Sequence, residues 1–360
     1  MDRLLAINEI SQLSIDALTR HVEKFQDEWM DRIDLDPNQL LRLKEMATVQ
    51  SIGSSTRIEG SELDDEEVNS LIENMQITEL KSRDEQEVAG YYRVLQIILE
   101  SYDDIPLSTN IIKGLHKQLL QYSDKDMHHR GNYKTLSNQV VATLPDGNQR
   151  TIFKTTPPMQ VEGRMDYAVQ WFNREIEADN YHELVVIGAF IYEFLTIHPF
   201  QDGNGRLSRL LTTLLLLKQG YDFVQYASFE REIERNKADY YKSLMLAQRF
   251  RDMEEEIIHS WLVFFLKSLK AMTVRLSKPR QPGNLLEDAP TLYLNPRQSR
   301  VVDYFERKGV LSVGDIDRLL PEVSRNTLKY DLARLTKAGY LKRRGKGRGT
   351  VYTLRESMLS

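Results

Sequence analysis

Residues 198–209 read HPFQDGNGRLSR, and they follow one strongly apolar stretch, 184–195, and run into the start of a second, 207–218. Hydrophobic residues occupy nearly every position of 184–195, and seven leucines lie in 207–218, which predicts two buried helices at the centre of a helical domain. Pro199 disfavours helical backbone at His198, so the first helix is expected to end there. The sequence therefore predicts a short loop held between two core helices.

The loop combines residue types that bind a phosphate group. Gly203 and Gly205 permit positive φ, which lets successive backbone N–H groups turn toward one anion. The second helix, expected to begin at about 204–206, directs the positive end of its dipole at the same place. Arg206 and Arg209 are one turn apart on that helix, and their guanidinium groups suit phosphate oxygens.

Two further side chains of the loop indicate a reaction at a phosphate. His198 can take a proton near neutral pH and is the candidate general base. Asp202 offers an oxygen ligand, and Mg²⁺ in proteins commonly uses one or two carboxylates together with substrate phosphates. An inter-helix loop with a hydrogen-bonded His and a structural Asp is the alternative. The order and spacing of base, carboxylate, glycines and arginines favour chemistry on a nucleotide.

The segment resembles the signature of the Fic family, H-x-F-x-[DE]-G-N-G-R-x-x-R, at every fixed position. The resemblance implies a helical core that transfers AMP from ATP to a hydroxyl side chain of a target protein. It implies His198 as general base, Asp202 as the ligand of Mg²⁺, and Phe200 as a buried anchor of the loop. The implied ATP-binding residues of the loop and following helix are Gly203, Asn204, Gly205, Arg206 and Arg209. Arg206 would bind the β-phosphate and Arg209 the γ-phosphate.

Other segments resemble the family less specifically. Residues 131–134 (GNYK) resemble the element that precedes its β-hairpin, and residues 140–158 resemble the hairpin, or flap, that holds a target segment as an added strand. Asn236, Tyr240 and Tyr241 resemble its adenosine-side element, in which a tyrosine ring can stack on the base. Packing in the hydrophobic core is the alternative for either tyrosine.

The sequence STRIEG, from Ser55 to Gly60, matches a second pattern of the family, the inhibitory [Ser/Thr]-x-x-x-Glu-[Gly/Asn]. It ends a helix predicted at about 39–60, with Gly60 as the C-terminal stop. A Glu59 carboxylate paired with Arg209 would keep that guanidinium from the γ-phosphate and leave ATP misaligned. Glu59 could instead orient a water for AMP removal, and an ordinary glutamate at a helix end is the remaining alternative.

Composition describes a globular protein of more than one domain. The chain has 360 residues, of which 41% are hydrophobic and 28% charged. It has no cysteine, which excludes disulfides, Cys-ligated metals and a thiol nucleophile. The first ten residues do not resemble a signal peptide, and the longest apolar stretch is too short for a bilayer. We therefore expect a cytoplasmic protein without a membrane segment.

Four regions are predicted along the chain: an N-terminal helical region at 1–100, a Fic catalytic core at 101–276, a proline-rich linker at 277–296, and a C-terminal domain at 297–360. Within the core, alternation predicts a β-hairpin that pairs 139–144 with 150–155. The C-terminal domain carries 15 Lys and Arg against 7 Asp and Glu, whereas the rest of the chain carries 33 against 46. Such a division indicates two modules with different partners.

The C-terminal domain reads as three helices and a β-ribbon, which resembles a winged helix-turn-helix. The helices are predicted at 298–307, 313–320 and 325–338, and the strands at 340–343 and 350–354. In that fold the third helix enters the major groove of DNA, and the wing contacts phosphates. The candidate DNA-binding residues are Arg325, Asn326, Lys329, Arg343, Arg344, Lys346 and Arg348. Binding to a protein, or dimerisation, is the alternative.

The predicted fold is therefore mainly α: a Fic-type helical core with a β-hairpin flap, plus a small C-terminal winged helix-turn-helix domain. The predicted function is transfer of AMP from ATP to a Tyr, Ser or Thr hydroxyl of a target protein, and of the protein itself, with inhibition by Glu59. The alternatives are transfer of another nucleotide moiety such as UMP, AMP removal, and a DNA-binding regulator whose helical domain senses a ligand. A homodimer is compatible with the sequence.

Overall fold

The structure, a computed structural model, describes the chain in segments: 9–31, 37–75, 79–143, 149–251, 253, 257–277, 296–321, 323, 325–337, 340–344 and 350–354. The chain divides into two compact units, Met1–Lys278 and Pro279–Ser360. None of the helices in these segments is long and apolar enough to cross a membrane.

The first unit is helical apart from one β-hairpin. Its α-helices among the described residues are α1 (Glu9–Asp31), α2 (Pro37–Ile58), α3 (Asp65–Asn74), α4 (Arg83–Ser101), α5 (Thr109–Leu119), α6 (Pro158–Ala178), α7 (Glu183–Ile197), α8 (Asn204–Lys218), α9 (Phe229–Arg235), α10 (Lys237–Gln248) and α11 (His259–Ser277). The strands of the hairpin are β1 (Gln139–Thr143) and β2 (Gln149–Lys154). The mainly helical fold predicted from the sequence is confirmed.

Helices α7 and α8 form the centre of this unit, as their apolar sequences predict. Every residue from Leu184 to Ile197 is buried, and so is every residue from Arg206 to Leu217. A helix that is hydrophobic on all sides must be enclosed by other elements. The two helices are therefore a rigid support for the loop that connects them.

Backbone geometry at the helix ends defines that loop. Helix α7 ends at Ile197 because His198 adopts a left-handed conformation, with φ of 52°. Gly203, with φ of 80°, precedes α8 and supplies the conformation that glycine tolerates without strain. Gly205 lies inside α8 and does not have the positive φ that the sequence allows.

Helix α2 ends as the inhibitory pattern predicts. Gly60 has φ of 108°, and its N–H donates to the carbonyl of Arg57 at 3.1 Å. The N–H of Ser61 donates to the carbonyl of Thr56 at 3.1 Å. These two hydrogen bonds form a Schellman motif, which satisfies carbonyls at the helix end. Glu59 is therefore held in a fixed position immediately after the helix.

The hairpin is antiparallel, with Gln139 opposite Lys154 and Thr143 opposite Gln149. A bulge interrupts the register between Val140 and Val141, which increases the local twist. The predicted turn lies at 145–148, outside the described residues.

The second unit, within the residues described, contains α12 (Pro296–Lys308), β3 (Val310–Ser312), α13 (Val313–Leu319), α14 (Arg325–Lys337), β4 (Leu341–Arg344) and β5 (Val351–Leu354). The three strands pair antiparallel in the order β3-β5-β4. Helices α12 to α14 and the strands β4 and β5 follow the predicted order. Strand β3 was not predicted, because three residues are too few to show alternation. The assignment as a winged helix-turn-helix stays a prediction.

Candidate active site

The loop between α7 and α8 is closed by the side chain of Asn204. The backbone N–H of Phe200 donates to Asn204 Oδ1 at 2.9 Å, and Asn204 Nδ2 donates to the carbonyl of Phe200 at 2.8 Å. The Phe200 ring is fully buried, as the resemblance implies. This reciprocal pair fixes the turn, so the Asn204 side chain acts on the shape of the loop.

His116, on α5, contacts the loop between α7 and α8, and this contact was not predicted from the sequence. Its ring stacks on Phe200 with centroids 3.7 Å apart. Nδ1 accepts the N–H of Gly131 at 2.9 Å, so Nε2 carries the proton and donates to the carbonyl of Asp202 at 3.0 Å. Burial lowers the pKa of His116 to about 4, which keeps the ring neutral. No local pattern around residue 116 signals this role, because its partners are distant in sequence.

His198 presents one ring nitrogen for chemistry. Its Nδ1 lies 3.2 Å from the carbonyl oxygen of Leu195, an arrangement in which Nδ1 donates and Nε2 keeps its lone pair. Burial lowers the pKa of His198 to about 4, and the charge of Lys134 acts in the same direction. The imidazole is therefore neutral at physiological pH and can accept a proton at Nε2.

Two arginines of α8 are almost fully enclosed and incompletely hydrogen-bonded. Arg206 is 1% exposed and Arg209 is 2% exposed. Arg206 donates from Nη2 to Asp202 Oδ1 at 3.2 Å, and its Nη1 lies 3.2 Å from Glu87 Oε2. Arg206 Nε and Arg209 Nη1 are buried and have no hydrogen-bond partner. Unused N–H donors on buried cations are rare because they are costly, and an anion would satisfy them.

Arg209 binds both residues of the inhibitory pattern. Its Nε donates to Ser55 Oγ at 2.8 Å, and its Nη2 donates to the Ser55 carbonyl at 3.0 Å and to Glu59 Oε1 at 2.7 Å. Although burial favours the protonated acid, the Arg209 guanidinium holds the pKa of Glu59 below its usual value. The ion pair expected from the sequence is thus present, and its inhibitory effect stays a prediction.

Gly205 is required by the close approach of this glutamate. A Cβ atom at Gly205 would lie 2.2 Å from Glu59 Oε1 and 3.3 Å from Arg209 Nη1. Any side chain at this position would therefore displace the Glu59 carboxylate. The first turn of α8 is open to a carboxylate or phosphate only because residue 205 has no side chain.

Asp202 has one oxygen held within the loop and one that faces cations. Oδ1 accepts the N–H of Gly203 at 2.6 Å as well as the bond from Arg206. Oδ2 lies 3.6 Å from Arg83 Nη2 and 3.8 Å from Lys125 Nζ. Burial raises the pKa of Asp202, but these positive charges, Arg206 foremost, lower it overall. An ionised oxygen with only distant ion pairs can serve as a ligand for Mg²⁺.

The three residues predicted for the adenosine side differ in how deeply they are buried. Tyr240 is 4% exposed and packs edge-on against Trp261, with ring centroids 6.0 Å apart. Burial raises its pKa to about 12, and the nearby Arg209 partly offsets this. Tyr241 is partly buried beside it, with centroids 5.1 Å apart. Asn236 is exposed, and its Nδ2 donates to the carbonyl of Glu232 at 2.8 Å. Tyr240 therefore packs in the hydrophobic core and also lies near Arg209, so its position agrees with either interpretation, core packing or a place beside the nucleotide.

The candidate DNA-binding residues of the second unit are partly described. Arg325, Lys329, Arg343 and Arg344 are exposed. The backbone of Asn326 belongs to α14, and Lys346 and Arg348 lie outside the described residues.

The loop lies among packed helices and combines a buried phenylalanine, a neutral histidine and two buried arginines with unused N–H donors. This combination is the class of site that suits an anion. Residues 106–216 match the family model described as the Fic/DOC family. This segment of the chain is therefore similar to the Fic/DOC family, and the motif at 198–209 lies inside it.

Known proteins agree with this assignment. The chain is 29% identical over 210 residues to protein adenylyltransferase Fic from Drosophila grimshawi, covering 58% of this chain and 40% of that protein. It is 28% identical over 186 residues to the protein of the same name from Aedes aegypti, covering 51% and 34%. The chain therefore spans about two fifths of the length of the Drosophila relative it matches.

Solved structures share the fold. A Fic family protein from Desulfovibrio desulfuricans matches with a TM-score of 0.62 and 20% identity, covering 98% of both chains. Fic-1 from C. elegans matches with a TM-score of 0.56 and 23% identity, covering 74% of this chain and 72% of that one.

Proposed function

We propose that this protein is an adenylyltransferase that moves AMP from ATP to a hydroxyl group of a target protein. The observation that supports the proposal is the pair of unused, buried donors, Arg206 Nε and Arg209 Nη1, at the start of α8. They lie on the helix that follows a loop beginning with a neutral histidine. A triphosphate satisfies such donors, and a neutral imidazole is the form that accepts a proton from a hydroxyl.

In the proposed reaction the target hydroxyl oxygen attacks the α-phosphorus of ATP. The hydroxyl proton passes to Nε2 of His198, and the bond to the bridging oxygen breaks so that pyrophosphate leaves with the electron pair. Backbone N–H groups at the start of α8 and the Arg206 guanidinium offset the charge that develops on the phosphoryl oxygens. General-base catalysis of this kind contributes about 10²–10⁴-fold to the rate.

Asp202 fits the role of Mg²⁺ ligand, because its Oδ2 is ionised and its cationic neighbours are beyond hydrogen-bond distance. Mg²⁺ bound there would neutralise phosphate charge. In its absence Arg83 and Lys125 supply the nearest positive charges to that oxygen.

We propose that Glu59 inhibits transfer in the same chain. It engages Nη2 of Arg209, the guanidinium assigned to the γ-phosphate, and occupies the space beside Gly205. The Glu59 side chain is 33% exposed, so water also reaches it, and this supports a second role for Glu59 in AMP removal.

The C-terminal unit is proposed to bind DNA through its exposed basic residues on α14 and β4. The likeness to adenylyltransferases supports a protein as the target of the first unit, and exposed hydroxyls of the chain itself are candidate acceptors.

The test is incubation of the purified chain and a cell lysate with ATP labelled at the α-phosphate. A parallel incubation contains labelled UTP at the same concentration. We expect incorporation from ATP into protein, loss of incorporation with EDTA, and loss in Asp202→Ala. Incorporation from UTP alone would replace AMP by UMP in the proposal. A Glu59→Gly protein that is folded and transfers neither nucleotide would overturn it.

A further inference from the structure

Lys134, in the segment between α5 and β1, is a buried lysine whose partners are all neutral. It is 3% exposed, and its Nζ donates to Asn138 Oδ1 at 2.8 Å, Thr155 Oγ1 at 2.7 Å and the carbonyl of Ile197 at 3.2 Å. An ammonium group has three donors, and all three are used. Because none of these acceptors is a carboxylate, burial lowers the pKa of Lys134 to about 8. Packing alone would favour an apolar side chain here.

Two of these acceptors lie at the base of the hairpin. Asn138 directly precedes β1 and Thr155 directly follows β2. The Thr155 hydroxyl also lies 2.9 Å from the Asn138 carbonyl, and Asn138 Nδ2 donates to the carbonyl of Phe200 at 2.9 Å. Lys134 therefore joins both ends of the hairpin to the loop that follows His198.

The third acceptor, together with the Lys134 backbone, brackets His198. Nζ binds the carbonyl of Ile197, the residue before the histidine, and the Lys134 N–H donates to the carbonyl of Pro199, the residue after it, at 2.8 Å. His198 itself is in the left-handed region, which is strained for a residue other than glycine. Such a conformation persists only where surrounding contacts impose it, and one residue supplies contacts on both sides.

We propose that Lys134 is the positioning residue for His198 and that it couples the two ends of the β-hairpin to the imidazole of the base. The proposal rests on the proposed function of His198. Its consequence is that any segment binding along the hairpin also orders the base, through Asn138, Thr155 and Lys134.

The charge of Lys134 gives this role a measurable sign. The charged groups that act on His198 are Lys134, Glu59 and Asp202. Lys134 lowers the pKa of the imidazole, and the two carboxylates raise it. Removing the ammonium should therefore shift the His198 titration to higher pH, whereas a purely structural contact would not.

The kinetic test uses the Glu59→Gly full chain and adds Lys134→Met, Lys134→Arg or, as a matched control, Lys267→Met on the exposed face of α11. We expect Lys134→Met to lower kcat for AMP transfer by about tenfold or more, because small displacements of a base are costly. The KM for ATP should stay within about twofold, because Lys134 is not placed at the phosphates. Lys134→Arg should recover part of kcat, and Lys267→Met should match its parent.

A second measurement does not depend on transfer. The imidazole of His198 is titrated by NMR in histidine-labelled protein without nucleotide, and we expect a higher midpoint in Lys134→Met and no change in Lys267→Met. If the Glu59→Gly parent transfers no AMP but Lys134→Met still shifts the His198 midpoint, the proposed function is rejected and the coupling of Lys134 to His198 is retained.

An unchanged kcat and midpoint in folded Lys134→Met would overturn the inference. If Lys134→Met does not fold, Thr155→Val decides, because it removes the hydroxyl that joins Lys134 to Asn138 at the base of the hairpin and nearly conserves volume. A lower kcat at constant KM for ATP supports the inference, and an unchanged kcat overturns it.

Discussion

Arg209 and Glu59 form an ion pair in which only one edge of the guanidinium is occupied. Nη2 donates to Glu59 Oε1 at 2.7 Å, while Nη1 is buried and has no hydrogen-bond partner. Ser55 completes the same edge, since its hydroxyl accepts from Nε at 2.8 Å and its carbonyl accepts from Nη2 at 3.0 Å. The arginine is therefore fixed in place, and its Nη1 is still free for an anion, whereas a phosphate at Nη2 would have to displace the Glu59 carboxylate.

Glu59→Gly is expected to raise AMP transfer by about tenfold or more, because a charge-assisted hydrogen bond of a few kcal/mol no longer competes with the γ-phosphate. The change first becomes visible as self-modification measured with labelled ATP. Glu79→Gly, at a glutamate whose side chain is 86% exposed, is the matched control and should leave transfer unchanged. Equal or lower incorporation by folded Glu59→Gly would reject inhibition. Gain of transfer together with loss of AMP removal would assign Glu59 both roles.

His198→Ala is expected to lower transfer by about 10²–10⁴-fold, because the hydroxyl would lose its base. The affinity for ATP, measured by calorimetry, should change little, since the arginines and the start of α8 remain. His128→Ala, at an exposed histidine, serves as the control. Wild-type transfer by His198→Ala would show that another group takes the proton.

The pH dependence of kcat/KM should place the acidic limb near pH 4. Only the neutral imidazole is a base, and burial lowers the pKa of His198 to about 4, so activity is full above about pH 5 and falls as the ring is protonated. In Glu59→Gly the limb should move further down, because the Glu59 carboxylate raises this pKa. Circular dichroism at each pH separates this effect from unfolding. A limb at the ordinary histidine value would contradict the assignment.

The full chain should bind duplex DNA with steep salt dependence, because each phosphate contact contributes about 0.9 to the slope of log K against log salt. Replacing Arg343 and Arg344 together with alanine should reduce that slope by about 2. Arg318→Ala, at a side chain 81% exposed that pairs with Asp315, is the control. Fluorescence anisotropy at several salt concentrations measures both. An unchanged slope in the double variant would remove β4 from the DNA-binding surface.

Much of the first unit follows from local sequence. The apolar stretches at 184–195 and 207–218 specify the two core helices, the proline after His198 specifies the end of the first of them, and the glycine at 60 specifies the end of α2. All of these are properties of a few consecutive residues. The twelve-residue motif likewise placed the candidate base, carboxylate and arginines on one loop. The Glu59–Arg209 pair was predicted from the inhibitory pattern at 55–60, for which the expected partner of the glutamate is the second arginine of the motif.

What the tertiary structure alone decided is which distant residues complete that loop. His116 and Glu87 carry no local pattern for their contacts with it, and the pattern at 131–134 does not indicate the partners of Lys134. Gly205 matters for the approach of Glu59 rather than for its own φ. Such contacts join residues that are far apart along the chain, and they form only when the elements that carry these residues pack together. The sequence alone determined the helices and the motif loop, whereas packing decided the neutral histidines, the unused arginine donors and the link from hairpin to base.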